Sequence, residues 1–376
     1  MDPTLRLLRD LVAINSVNPT LVPGAPGEAE VADAIAAELR RIGLDVAVQP
    51  VAAGRPNVVG VLEGARTGRT LMLCGHVDTV GVAGMDDPFT PVERDGRLYG
   101  RGAQDMKGGV AAMIGAARVL AAAGLDAGRV IVAAVVDEEH SSIGADALVA
   151  EWTADAAVVT EPTDLQIVTA HKGFAWIEVD VLGRAAHGSR PAEGQDAILR
   201  LGRVLRHLET LDRDLQRHTS HPRLGPGSLH ASFVEGGREL SSYPDRAMLQ
   251  MERRTLPGDE PAVPITEVQQ ILDGLRLEDP TFQATARLMF QRSAYELADD
   301  HVLPQTLDEA VRHVGGSPAF AGATFWADSA ILGRAGIPSV LFGPGGAGLH
   351  STEEYVNVDD VLRCQEALAE LARRFC

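Results

Sequence analysis

Cysteine is nearly absent: Cys74, Cys364 and Cys376 are the only three in 376 residues, and none sits in a CxxC spacing. So sparse and odd a set offers no disulfide framework and fits a reducing compartment. Aromatic residues are also scarce, at 4%, so the core has to rest on Ala, Val, Leu and Ile rather than on aromatic clusters. Clusters of Lys and Arg are missing, and the formal net charge is −18. A surface that acidic repels nucleic acid and anionic membrane. No uncharged apolar run approaches the roughly 20 residues of a membrane span. The opening MDPTLRLLRDLVAIN threads charges through its apolar residues, unlike a secretory leader. The expected setting is cytoplasmic, with neither nucleic acid nor membrane as partner.

What is present is 45% hydrophobic and 23% charged residues, in a chain long enough for two domains. Residues 3–14 and 28–42 read as amphipathic helices, and DVAVQPV, NVVGVLE and TLMLCGH as strands. An Ala-rich helix is expected over 107–124. The continuous apolar runs RVIVAAVV and AAVVTEP suit strands covered on both faces. This alternation predicts an α/β sheet with helices on both sides. From residue 173 the pattern changes. GFAWIEVDVLG alternates like a strand with one face buried, followed by a helix over 192–213 and strands SLHASFVEG and AMLQMERR. A helix over 264–276 and a strand over 282–291 complete a β-α-β-β-α-β order, that of a ferredoxin-like domain. IPSVLFGPG and a helix over 358–374 return to the first style. The reading is a domain of residues 1–172 and 293–376, with residues 173–292 inserted.

In open α/β sheets, ligands gather beyond the carboxyl ends of the strands. The strand exits here are polar. LMLCG leads to His76 and Asp78, which project to one face as residues i and i+2. IVAAVV leads to Asp137, Glu138 and Glu139, AAVVT to Glu161, SVLFGPGGAGL to His350, and the Gly-bounded GRGAQDMKGG presents Asp105. Taken singly, each has an ordinary explanation: a hydrogen-bonded histidine, a helix N-cap, a solvated turn. Taken together they place four carboxylates near one sheet edge, which costs several kcal/mol unless cations compensate. No basic cluster at these exits does so. A pair of divalent metals would, and two His with several carboxylates suits zinc. On this reading His76 binds metal, and Asp78 orients its ring from behind.

At these residues the chain resembles the M20 metallopeptidase family, in its acetylornithine deacetylase and succinyl-diaminopimelate desuccinylase group. The motifs GHVDTV, GRGAQDMKGG, DEEHSSIGA, TEPT, GRAAHGSRP, ERRTLPG and GIPSVLFGPGGAGLHSTEEYV occur in family order over almost the whole chain. The resemblance implies a zinc-exopeptidase-like α/β catalytic domain with a mainly parallel sheet covered by helices, plus a ferredoxin-like lid and dimerisation domain. It implies two Zn2+ ions, with Co2+ or Mn2+ as substitutes. His76, Asp105 and Glu161 would hold one, and Asp105, Glu139 and His350 the other, Asp105 bridging. Glu138 matches the general base, and Asp78 the carboxylate that orients the first histidine. His187 matches a lid histidine that reaches the neighbouring subunit's site and steadies the oxyanion. Arg254 matches a lid arginine that grips the substrate carboxylate. A cis peptide after Asp105 and a homodimer are implied too.

The chain departs from the family pattern at Ser241, where Asn is frequent, at Asp196, and at Leu349 before the last histidine. None removes a metal ligand, though the first bears on substrate identity. The expected activity is hydrolysis of an N-acyl-L-amino acid to a carboxylate and a free amine. A dipeptidase or carboxypeptidase acting on short peptides shares that chemistry. An inactive homologue that only binds would not need the whole carboxylate cluster.

Overall fold

Thr70–His76 runs through the middle of a mixed sheet and is buried on both faces. The computed structural model describes residues 1–82, 84–218 and 220–376. One unit comprises Met1–Thr169, Leu297–Ala321 and Ala327–Cys376, and the other Ala170–Glu296 and Gly322–Trp326.

In the first unit, Arg129–Val135, Thr70–His76, Ala156–Val159 and Ser339–Leu341 lie side by side and parallel. These are the continuous apolar runs, and they occupy the positions where both faces are covered. Antiparallel strands flank this parallel centre. On one side come Arg55–Glu63 and then Asp45–Ala52; on the other, Val168 of Ile167–His171 pairs with Leu341. The reason on the first flank is local. Ala52 pairs with Arg55, so only Ala53 and Gly54 turn the chain, and Gly54 has φ +71°. A two-residue turn can join only antiparallel neighbours.

Helices Pro3–Ala13, Ala29–Arg41, Gly108–Ala123, Val302–His313 and Val358–Phe375 cover the sheet and share one apolar core with it. The scarcity of aromatics has its counterpart here in close approach. A Cβ on Gly109 would lie 1.9 Å from the Thr160 carbonyl oxygen, and one on Gly115 would lie 2.4 Å from Gln365 Oε1. Ala103–Ala123 is long and apolar enough to cross a membrane by length and composition alone, yet most of it is packed in this core. Val92–Arg94, Arg97–Tyr99, Tyr355–Asn357 and Gly346–Ala347 form a small antiparallel sheet that the sequence pattern did not reveal. Its strands are only two or three residues long, too short for a periodic signal.

In the second unit the order is strand, helix, strand, strand, helix, strand, from Gly173–Leu182 to Gln283–Arg292. The sheet runs Ser228–Gly236, Arg246–Thr255, Gly173–Leu182, Gln283–Arg292, all antiparallel. That is the ferredoxin-like arrangement expected. Ile177, Val179 and Val181 face a core shared with Leu201, Val204, Val268 and Leu272 of its two helices. The first helix spans Ala197–His218 and begins later than the sequence reading of 192. Arg184 and Gln195 exchange both main-chain hydrogen bonds, and Asp196 Oδ1 accepts the Leu199 N–H at 2.9 Å. Asp196 therefore caps the helix, and Gln195 before it is held in an isolated antiparallel bridge to Arg184.

Gly109 provides the test of the packing. Gly109→Ala should destabilise the protein by about 1–3 kcal/mol or more, the usual range for overpacking against an unyielding neighbour. Urea unfolding would show it, and an unchanged midpoint would contradict the contact with Thr160.

Candidate metal centre

Each predicted ligand of the first unit stands where a strand or turn ends. His76 is the last residue of Thr70–His76, and Glu138 and Glu139 follow Arg129–Val135. Glu161 follows Ala156–Val159, and His350 lies in the turn between Gly346–Ala347 and Tyr355–Asn357 with φ +58°. Asp105 sits in the short segment Ala103–Lys107 in an extended conformation, φ −114° and ψ 97°. The peptide bond between Asp105 and Met106 is cis, as the resemblance implies.

The structure brings all of these together. His76 Nε2 lies 3.0 Å from Asp105 Oδ1, and 3.8 Å from both Glu138 Oε2 and Glu161 Oε1. His350 Nε2 lies 3.3 Å from Asp105 Oδ2 and 3.1 Å from Glu139 Oε2. Asp105 thus offers one oxygen to each histidine. Donor atoms of His76, Asp105 and Glu139 lie within 4.8 Å of one another, and so do those of His76, Glu138 and Glu161. Glu138 is therefore as near to His76 as Glu161 is.

The cluster's electrostatics fit cations. Burial, with neighbouring carboxylates adding to it, pushes the carboxyls of Glu138 and Glu161 well above the usual range and Glu139 up to about 7. Burial opposes charge on His76, but Asp105, Asp78 and the nearby glutamates outweigh it and raise its pKa well above the ordinary value. His350 is raised to about 10, chiefly by its hydrogen bonds to Asp105 and Glu139. Asp105 alone moves down, because the two histidines outweigh the cost of its burial. Protons are held wherever a positive charge is wanted. Glu139 Oε1 is also buried with no hydrogen-bond partner among the described residues. Imidazole and carboxylate donors at this spacing suit a divalent ion of the zinc type.

Behind the cluster, Asp78 meets the His76 ring with both its main-chain carbonyl, 3.0 Å from Nδ1, and its carboxylate, 3.6 Å from the same atom. That carboxylate also accepts the main-chain N–H groups of Glu138 at 3.1 Å and Glu139 at 3.2 Å, and Asn18 Nδ2 at 2.8 Å. Asn18 also donates to Asp137, which pairs with Arg55 at 2.8 Å, and Arg55 in turn pairs with the buried Glu28. Asp137 has φ +70°. The chain Glu28–Arg55–Asp137–Asn18–Asp78 was not anticipated. Only Asp137 carried a signal, as the first residue of DEEH.

His187 and Arg254 belong to the second unit. His187 is exposed in a loop; its Nδ1 accepts the Ser189 N–H at 3.2 Å, which places a neutral ring's proton on Nε2. Ser241 lies beside it, its carbonyl accepting the Gly188 N–H at 2.7 Å. Arg254 lies in Arg246–Thr255, its Nε donating to Glu252 at 2.6 Å and its guanidinium 5.6 Å from the Phe174 ring centre.

Residues 72–374 match the family model of peptidase family M20/M25/M40. An acetylornithine deacetylase of Myxococcus xanthus is 33% identical over 390 residues, covering 100% of this chain and 98% of that protein. The fold is similar to that of aminopeptidase PepT of Bacillus cereus, with a TM-score of 0.82, 19% identity, and 99% and 98% of the two chains covered. It is also similar to a Bacillus subtilis M20-family protein described as a dinuclear metal-binding peptidase, with a TM-score of 0.76, 17% identity, and 99% and 97% covered.

The raised groups predict a pH dependence. Metal-free and folded, the protein keeps protons on Glu139 (about 7 against 4.5) and on His350 (about 10 against 6.5) that the unfolded chain releases. At these two groups the folded state binds more protons, so their contribution to stability falls as pH rises. Asp105 acts in the opposite sense only as pH falls below its ordinary 3.8, while burial pushes His171 down to about 4 and Lys107 down to about 7, so these two oppose the trend below pH 6.5 and above pH 7. Cations displace the cluster's own protons, so the gain in thermal midpoint on adding Zn2+ to chelator-treated protein should grow between pH 4.5 and pH 10. A gain that is flat or falls over this window would contradict the assignment.

Proposed function

Given that the chain belongs to peptidase family M20/M25/M40 and is a metal-dependent hydrolase, we propose that it cleaves the amide bond of N-acyl-L-amino acids. The observation that carries this reading is Asp105, with one oxygen toward His76 and the other toward His350 inside a buried carboxylate cluster. Full-length similarity to an acetylornithine deacetylase supports the deacylase chemistry. His76, Asp105 and Glu161 would hold one Zn2+, and Asp105, Glu139 and His350 a second, with Co2+ or Mn2+ able to substitute. When bound, the ions supply Lewis acidity and a water whose pKa is brought toward neutrality.

The protein's own groups do the rest. Glu138 takes the water's proton and delivers it to the leaving nitrogen; its burial, which favours the protonated carboxyl, suits that shuttle. Asp78 keeps Glu138 and Glu139 in place through their N–H groups. His187, with its proton on Nε2, donates to the oxyanion that forms as water attacks the acyl carbon. Arg254, pinned by Glu252, grips the substrate carboxylate through its remaining N–H groups. Residues 173–292 serve as the lid and dimerisation domain. The sheet edge Ser228–Gly236 supports a homodimer: among the described residues it is paired on one side only, with Phe233 68% and Val234 58% exposed. The free cysteines support a cytoplasmic setting.

Free-amine release from a panel of N-acetyl- and N-succinyl-amino acids beside dipeptides tests the substrate class. Turnover of the dipeptides alone would replace the deacylase reading with a peptidase. Asp105→Ala should lose both metals, whereas Glu138→Ala should keep them and lose turnover; two full equivalents in Asp105→Ala would remove the bridging role. Subunit mixing tests the dimer. Inactive Glu138→Ala and inactive His187→Ala subunits, once exchanged, should form heterodimers with one intact composite site and regain part of the activity. Verified exchange without recovery would exclude a shared site.

A further inference from the structure

Glu354 lies in HSTEEYV, four residues after His350, and its side chain is almost wholly buried. Its Oε2 accepts Arg101 Nη1 at 2.6 Å and the Gly102 N–H at 3.1 Å. Its Oε1 accepts the N–H groups of Gln104 at 2.9 Å and Asp105 at 3.1 Å. Arg101 Nη2 donates onward to the carbonyl of Ser351, the residue after His350, at 2.8 Å. The Glu354 carbonyl accepts the Gly100 N–H at 3.1 Å. One carboxylate therefore closes the loop ending in Asp105, and its arginine partner ties that loop to the turn carrying His350.

We propose that Glu354 is a positioning residue which, with Arg101, sets the spacing between Asp105 and His350 that the two cations require. The inference rests on the ligand assignment above. Asp105 approaches the site with a backbone outside the helical range, and its own N–H donates to Glu354 rather than along the chain. His350 sits on a turn and is half exposed. Neither stands in a regular helix or strand ladder, so contacts between the two segments bear on their spacing. Three main-chain donors and a guanidinium on one buried carboxylate supply them, and such outer partners commonly govern metal affinity.

Glu354→Gln is the informative change. It keeps size and shape, but the amide has one acceptor oxygen and an NH2 donor in place of the second oxygen. Whichever way it turns, a donor meets either the Arg101 and Gly102 donors or those of Gln104 and Asp105. Metal-free wild type, Glu354→Gln, Arg101→Gln and Asp105→Ala would be titrated with Zn2+ by calorimetry and with Co2+ by visible absorption, with circular dichroism to check folding. Glu354→Gln should bind the ions about 10–100-fold more weakly and show an altered Co2+ spectrum, and Arg101→Gln should mainly weaken the second ion. A folded Glu354→Gln protein with wild-type affinity, stoichiometry and spectrum overturns the proposal. If Glu354→Gln does not fold, Arg101→Gln decides, because it leaves the three N–H bonds intact; two ions at wild-type affinity would again overturn it. If Asp105→Ala binds two ions as the wild type does, the ligand assignment falls and takes this proposal with it. If Asp105→Ala loses its ions while Glu354→Gln does not, only the present proposal fails.

Discussion

Asp105, Glu138, Glu139 and Glu161 share one buried sheet edge with two histidines, and that concentration of negative charge constrains everything around it. Buried carboxylates are tolerated only when hydrogen-bonded or neutralised. The cations nearest at hand are already engaged. Arg55 is committed to Glu28 and Asp137, and Arg101 to Glu354 and the Ser351 carbonyl. Lys107, pushed down to about 7 by burial, donates to the Leu11 and Ile14 carbonyls at the end of the first helix. The cluster's charge must therefore be met by ions, or by protons in their absence. A metal-dependent hydrolase follows naturally from that balance.

The same constraint explains the second layer. The polar residues at strand exits lie on turns, where the backbone lacks a regular ladder and its N–H groups need partners. Two carboxylates meet that need: Asp78 for the Glu138–Glu139 turn and Glu354 for the loop before Asp105. Each accepts main-chain donors together with one side chain, Asn18 for Asp78 and Arg101 for Glu354, and so ties its turn to the fold. Pre-organisation of this kind matters because metal donors must sit within a few tenths of an ångström of their required positions.

Packing allows the exits to converge. Parallel strands covered on both faces bring four carboxyl ends to one edge, and glycine at 109 lets its helix meet the Thr160 carbonyl immediately before Glu161. The fold is shared with an aminopeptidase at a TM-score of 0.82, so fold and metal chemistry alone do not choose between acyl groups and peptides. That choice has to come from residues outside the carboxylate and histidine cluster.

Much of this was legible in the sequence because it is local. Buried strands announce themselves as unbroken apolar runs, the alternation in GFAWIEVDVLG marks a sheet with one face buried, and the polar residues just past each run are the cluster itself. The ordered motifs added the family. What only the tertiary structure decided lies between residues far apart in the chain. Asn18 meets Asp78 across 60 positions, and Arg101 meets Glu354 across 253. Asp78 meets His76 with its main-chain carbonyl and also binds the Glu138–Glu139 turn with its carboxylate, and a helix expected from 192 waits for the cap at Asp196. Periodicity reports which face of an element is apolar, because that depends on neighbours two to four residues away. It carries no information on which distant donor a buried carboxylate will meet, since that is set when packing brings the loops together.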